Sequence, residues 1–254
     1  MSGHSQIAPV STTDNMEQLP RIGRFLFAAA IAGFGFQFLV HTFLAGPVPG
    51  PPWSPGRPLW AYSTAILLIV AAVCIATGKK VRLAATLLAI MLVFRALLVY
   101  APRFLANVRD PGPWTSGFEI LALGGAALIV AGSAAELGRL LFVSLLVVVG
   151  VQHFMYARFI ATLVPAWIPG RLFWAYFVGV AFFAAASSIA TRKSAGLAAT
   201  LLGLMFFSWV FVVHLPRVTA SSHNGNEWTS ALVALAMCGG AWVMAGSTAR
   251  AKKR

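Results

Sequence analysis

The sequence predicts an all-α polytopic membrane protein, with eight transmembrane helices arranged as two parallel four-helix-bundle repeats. Three observations predict it. The 254 residues are 59% hydrophobic and only 10% charged, where a soluble domain carries about 25% charged residues. The apolar residues fall in long blocks, and blocks of about 18 or more cross the roughly 30 Å of a hydrocarbon core as helices. The same phrases also occur twice: PGRPLWAY at 55–62 returns as PGRLFWAY at 169–176, an offset of 114 residues from Pro55 to Pro169.

Eight spans follow in order: 22–44, 59–77, 83–101, 115–133, 140–160, 172–190, 197–215 and 229–247. In lipid each must satisfy its own backbone hydrogen bonds, so each is read as a helix. Residues 1–20 are polar, rich in Ser and Thr, and expected to be a disordered tail. The first span, behind Arg21 and Arg24, is expected to act as an uncleaved anchor. The first repeat is placed at 21–138, the second at 139–247, and a basic tail at 248–254.

The repeat is specific along its length. LAATLL at 83–88 meets LAATLL at 197–202, and IATGK at 75–79 meets IATRK at 189–193. APR at 101–103 meets LPR at 215–217, and WTS at 114–116 meets WTS at 228–230. Upstream the offset drifts by one, so Gln37 meets Gln152. Each unit has an even number of spans, so both enter the bilayer from the same side and their repeats are parallel. Two four-helix bundles side by side are the expectation. Small residues at helix spacing, such as Ala29 with Gly33 and Ala236 with Gly240, are read as packing contacts.

The net charge of +13 does not indicate nucleic acid, because no aromatic-basic platform accompanies it. Twelve of the nineteen Lys and Arg residues fall on the side of the termini, six on the other, and Arg95 inside a span. This is the positive-inside bias, and it implies cytoplasmic termini in a bacterial inner membrane. The bilayer is therefore the first partner, with the tail ARAKKR against anionic headgroups. Cys74 and Cys238 do not correspond under the repeat and form no CxxC, so they read as small buried residues.

The second half carries QHF at 152–154, LVPAWIPG at 163–170, WAYFVGV at 174–180, LAATLLGLM at 197–205, HLPR at 214–217 and EWTSALVALAMCGGA at 227–241. In this order they resemble the DoxX family of small four-span bacterial membrane proteins. The first half resembles a diverged copy that keeps PGRPLWAY, APR and WTSGFEILALGGA. The resemblance implies a tandem duplication of the four-helix unit. Some members are linked to quinone-coupled oxidation of sulfur compounds, or to redox complexes that respond to oxidative stress. A redox enzyme partner is implied on the same ground, and the missing CxxC counts against thiol exchange.

Candidate site residues are the polar ones within the bilayer, where an ionisable group costs at least about 2.5–3.5 kcal/mol. Arg95 and Glu119 both fall in the half away from the termini and are expected to pair. Gln37 and His41 share one helix face, with Gln152 and Tyr156 as counterparts, and Tyr100 corresponds to His214. His153 is extra in the second half. A His facing a Tyr can hydrogen-bond the two carbonyls of a quinone head or pass a proton. The expected ligand is thus a quinone or another lipid-like small molecule, in a cavity of the leaflet away from the termini. Two alternatives stay open: a small-solute transporter or channel, and a non-catalytic structural partner of other membrane proteins. The scattered His have no HxxxH spacing and acids are scarce, so no metal centre is expected. The proline-rich loops holding Trp53 and Trp167 read as caps or lids over the two bundles.

Overall fold

The computed structural model describes residues 12–45 and 57–252, with side chains over 18–40 and 59–248. Its regular structure there is all helix. In chain order the elements are α1 (Thr12–Ala45), α2 (Arg57–Thr77), α3 (Val81–Ala106), α4 (Pro111–Ala131), α5 (Ala135–Met155), a short α6 (Ala157–Leu163), α7 (Arg171–Ala190), α8 (Ala195–Ala220) and α9 (Gly225–Lys252). All but α6 are long and apolar enough to cross a membrane. The chain is an all-α polytopic membrane protein whose two quartets, α1–α4 and α5, α7–α9, run in the same sense.

Most span boundaries agree with the hydropathy blocks, and the departures have local causes. Helix α1 begins at Thr12, so residues 12–20 are helical where a disordered tail was expected; residues 1–11 lie outside the described residues. The extension has a partner, because Pro20 lies against Gly246 of α9 so closely that a Cβ there would meet its ring. The block 140–160 ends as a helix at Met155, breaks at Tyr156 (φ −116°) and resumes as α6.

Both third helices contain a π-helical turn, over Ala96–Tyr100 in α3 and Val210–His214 in α8, at the repeat offset of 114. Pro102 and Pro216 cause them. Proline has no N–H to donate, and its ring crowds the carbonyl four residues back. The ladder answers by widening: Ala101 N–H bonds Ala96 O, and Leu215 N–H bonds Val210 O.

The quartets close on each other. Neighbours pack in the order α1–α2–α3–α4–α5–α7–α8–α9, and α9 returns to α1. Helix α4 also crosses α9, which divides this ring into two lobes. The first lobe is α1, α2 and α3; the second is α5, α7 and α8; α4 and α9 stand between them. Two counterparts meet at the crossing, where a Cβ on Gly240 would lie 2.7 Å from Ala126 Cβ.

Two glycine pairs make the closure feasible. A Cβ on Gly125 (α4) would lie 2.4 Å from Gly138 O (α5). At the equivalent crossing a Cβ on Gly239 (α9) would lie 2.6 Å from Gly23 O (α1). No side chain fits against a backbone carbonyl at that distance, so the helices meet backbone to backbone. Of the small residues singled out in the sequence, Ala236 and Gly240 are buried, whereas Ala29 is exposed.

Candidate functional site

At the ends remote from the termini, each quartet grips the other through a glutamine. Gln37 Nε2 (α1) donates to Gly225 O at 2.7 Å and to Thr229 Oγ1 at 2.8 Å on α9. Gln152 (α5) mirrors it on α4. Its Oε1 accepts from Thr115 Oγ1 at 2.9 Å and its Nε2 donates to Pro111 O at 3.3 Å. The two threonines are those of the repeated WTS. The tryptophans of that motif brace the preceding loops, with Trp114 Nε1 on Val108 O and Trp228 Nε1 on Ser222 O, both at 2.9 Å. Gln37 and Gln152 therefore clasp helix starts, which accounts for their presence without a ligand.

Arg95 ends the α-helical part of α3, one residue before the π turn. It is 9% exposed, and its guanidinium lies over the Phe38 ring of α1, 5.0 Å from the centroid. Its Nη1 is buried and has no hydrogen-bond partner among the described residues. Tyr100 and Arg103 are its titratable neighbours, and Arg103 in turn lies over the Tyr100 ring at 5.8 Å.

The expected Arg95–Glu119 pair does not form. The ion pairs among the described residues are Arg139–Glu136, Arg192–Glu136 and Arg217–Glu227. The helix period explains this. Glu119 lies seven residues before Ala126, so it shares the α4 face that meets α9. The face towards α3 instead carries Gly117, against Tyr100, and Gly124, against Val93. Equal depth in the membrane did not put the two charges on facing surfaces.

The second lobe fills the corresponding places with aromatic rings. The counterpart of Arg95 is Trp209, whose ring is 5.5 Å from Phe206 and 5.9 Å from Phe182. Phe182, Phe206 and Trp242 stand where the first lobe has Leu68, Leu92 and Leu128. His153, the counterpart of Phe38, rests edge-on against Phe182 at 5.2 Å, and its Nδ1 meets Val149 O of its own helix at 2.6 Å.

The remaining sequence candidates separate. His214 ends the π turn of α8 with a buried Nδ1 that has no partner among the described residues, so no Tyr156–His214 hydrogen bond forms through that atom. Tyr156 caps α5 and is half-buried. The side chain of His41 and the loop carrying Trp53 lie outside the described residues. Trp167 is 73% exposed and closes nothing. Among the described residues no three His, Cys, Asp or Glu side chains gather as a metal site.

Two features of this region escaped the sequence reading. One is the ion pair between Arg217 (α8) and Glu227 (α9), in which Nη2 donates to Oε1 at 2.9 Å and Nε lies 2.9 Å from Oε2. The other is Phe38 as the seat of Arg95. The first was legible in part, because Arg217 and Glu227 belong to motifs on adjacent helices. The second was not, since nothing local to Phe38 marks it as facing a cation.

The arrangement defines a class: a polytopic helical membrane protein in which one lobe buries an arginine where the other packs aromatic rings. A family model described as a domain of unknown function (DUF8561) matches residues 142–243, which fall within the second quartet. No curated protein matches the chain, and no solved structure does.

Proposed function

We propose that the chain is a redox-associated membrane subunit that binds a lipid-like small molecule, of the quinone type, in the first lobe. One observation carries the reading: the two lobes have the same helices and different contents. The second is filled by Phe182, Phe206, Trp209 and Trp242, whereas the first has leucines and the buried guanidinium of Arg95. A duplicated frame that needs only packing has no use for an ionisable group at that depth. Arg95 and the Tyr100 hydroxyl are donors suited to the oxygen atoms of such a head group.

The DoxX-like relationship belongs to the same proposal, together with the duplication of the four-helix unit, on the motifs that recur at an offset of 114 residues. So does the orientation with cytoplasmic termini in a bacterial inner membrane, on the bias of basic residues. A partner enzyme would then supply or remove the electrons.

A second reading has its own support. Pro102 and Pro216 lie inside 26-residue helices and open π turns at matching depth, and non-α backbone within spans is a mark of transporters. One experiment bears on both readings. Protein purified in mild detergent is extracted and its small molecules identified by mass spectrometry, alongside the Arg95→Trp variant, which installs the second lobe's own residue. A lipid-like molecule bound to the native chain and lost from Arg95→Trp supports the binding subunit. A ligand-free chain that moves solute into liposomes supports the transporter.

A further inference from the structure

The first lobe holds a charge, on Arg95, that no acid among the described residues neutralises. All six acids of the sequence can be followed. Asp14 and Glu17 belong to the start of α1, at the opposite face of the membrane. Glu136 is bound to Arg139 and Arg192. Glu227 is bound to Arg217. Asp110 caps α4, accepting from Gly112 N at 2.9 Å. Glu119 forms no ion pair with Arg95 and looks towards α9. In the second quartet Arg217 is balanced by Glu227. At the position of Glu227 the first lobe has Pro113, so Arg103 has no such acid.

Arg95 has also not escaped to water. It stands 14 residues into α3, about 21 Å from the basic end and about 17 Å from the other. A long arginine at that depth ordinarily reaches outward to the headgroups. This one is folded onto Phe38 with its Nη1 enclosed. A buried guanidinium without a counter-charge is costly, and a carboxylate-type oxyanion is its best geometric match. Trp209 at the equivalent place shows that the fold itself requires no cation there.

We propose that the ligand of the first lobe is a monoanionic amphiphile, an acidic oxygen head on a long apolar tail, with Arg95 as its counter-ion. This rests on the reading that the first lobe is a ligand site, and it narrows the class of ligand. One negative charge matches the guanidinium of Arg95, and the apolar side chains of Leu92, Val99 and Phe38 suit the tail. Two sources share this chemistry: a free fatty acid, and a bilayer lipid with a monoanionic phosphodiester.

The test uses the full chain in nanodiscs of zwitterionic lipid. Oleate and oleyl alcohol, equal in tail and different in charge, are titrated and binding is read by native mass spectrometry. The expected result is that oleate binds at least tenfold more tightly than the alcohol. Arg95→Gln is expected to abolish that preference and Arg95→Lys to retain part of it. Nanodiscs doped with phosphatidylglycerol test the second source: enrichment of that lipid on the wild type and not on Arg95→Gln, with oleate unbound, also supports the inference. Equal binding of oleate and the alcohol, or an unchanged preference in Arg95→Gln, overturns it. If Arg95→Gln does not fold, the oleate-to-alcohol ratio on the wild type decides. A neutral quinone analogue that binds the wild type without any preference for charge overturns this inference and leaves the lobe as a ligand site. Absence of every one of these ligands from the first lobe ends both.

Discussion

At the residue scale, polar side chains in this chain divide by whether a partner is in reach. Gln37 and Gln152 were legible as a matched pair, and they remain one in space, but as clasps between quartets. Their contacts cross from one repeat to the other, and a repeat read in line cannot show which copy a side chain touches. Interhelical hydrogen bonds in membranes are worth about 0.6–2 kcal/mol. Gln37→Leu, which loses bonds of 2.7 and 2.8 Å, is expected to cost about 1 kcal/mol. Gln152→Leu, with bonds of 2.9 and 3.3 Å, is expected to cost less. Thermal unfolding in one detergent compares them. Arg217 and Glu227 should behave as a coupled pair. In a double-mutant cycle with Arg217→Gln and Glu227→Gln, the coupling is expected at about 1–3 kcal/mol, because the bond is charge-assisted and Glu227 is 15% exposed. A coupling near zero would make the pair incidental.

At the scale of elements, hydropathy placed all eight spans, because lipid imposes length and composition on a helix whatever it packs against. It did not show the π turns. One extra residue in a helical turn leaves the apolar content of α3 and α8 unchanged, and the only trace is the proline of APR and LPR. Pro102→Ala removes that cause. A regular ladder would rotate the last turn of α3 by about 100°, taking Arg103 away from the Tyr100 ring. A structure of the variant in which the π turn persists would assign it to tertiary packing instead.

The hairpins on the side of the termini offer a second test. Gly78 and Lys80 have φ of 77° and 51°, and their counterparts Arg192 and Ser194 have φ of 62° and 56°. The left-handed region strains any residue with a Cβ by roughly 1–2 kcal/mol. Ser194→Gly relieves it, and Ser194 makes no side-chain cap bond. The expected outcome is a gain of up to about 1 kcal/mol after the entropy of the new glycine is subtracted, seen as a higher melting temperature.

At the scale of the whole molecule, the duplicated sequence announced two matching quartets, and the structure adds that each is completed by the other. The information was present in LGGAALIVAG at 123–132 and CGGAWVMAG at 238–246, where Gly125 and Gly239 correspond and each has a second glycine beside it. What it lacked was an address: small residues say that a helix approaches closely, not which helix. The consequence for stability is direct. Gly125→Val or Gly239→Val sets a side chain against a carbonyl of the neighbouring quartet, and overpacking of this kind costs about 1–3 kcal/mol or more. Either variant is expected to lower the yield of monodisperse protein, whereas Gly132→Ala, with nothing within 4 Å of a new Cβ, meets no neighbour and bears only its own backbone strain.

Closure across the quartets is tested most directly by disulfide cross-linking between first and last helices. A Cβ on Gly33 of α1 would lie 3.4 Å from Leu232 Cγ on α9. In a chain with Cys74 and Cys238 replaced by alanine, Gly33→Cys is combined with Leu232→Cys, and separately with Phe118→Cys, the equivalent position on α4. A cut between the quartets, with both pieces co-expressed, turns each bond into a covalent link visible on a gel. The expected result is rapid linkage of 33 to 232, joining the two pieces, and none of 33 to 118. Linkage of 33 to 118 without linkage of 33 to 232 would mean that each quartet closes on itself, and would contradict the account.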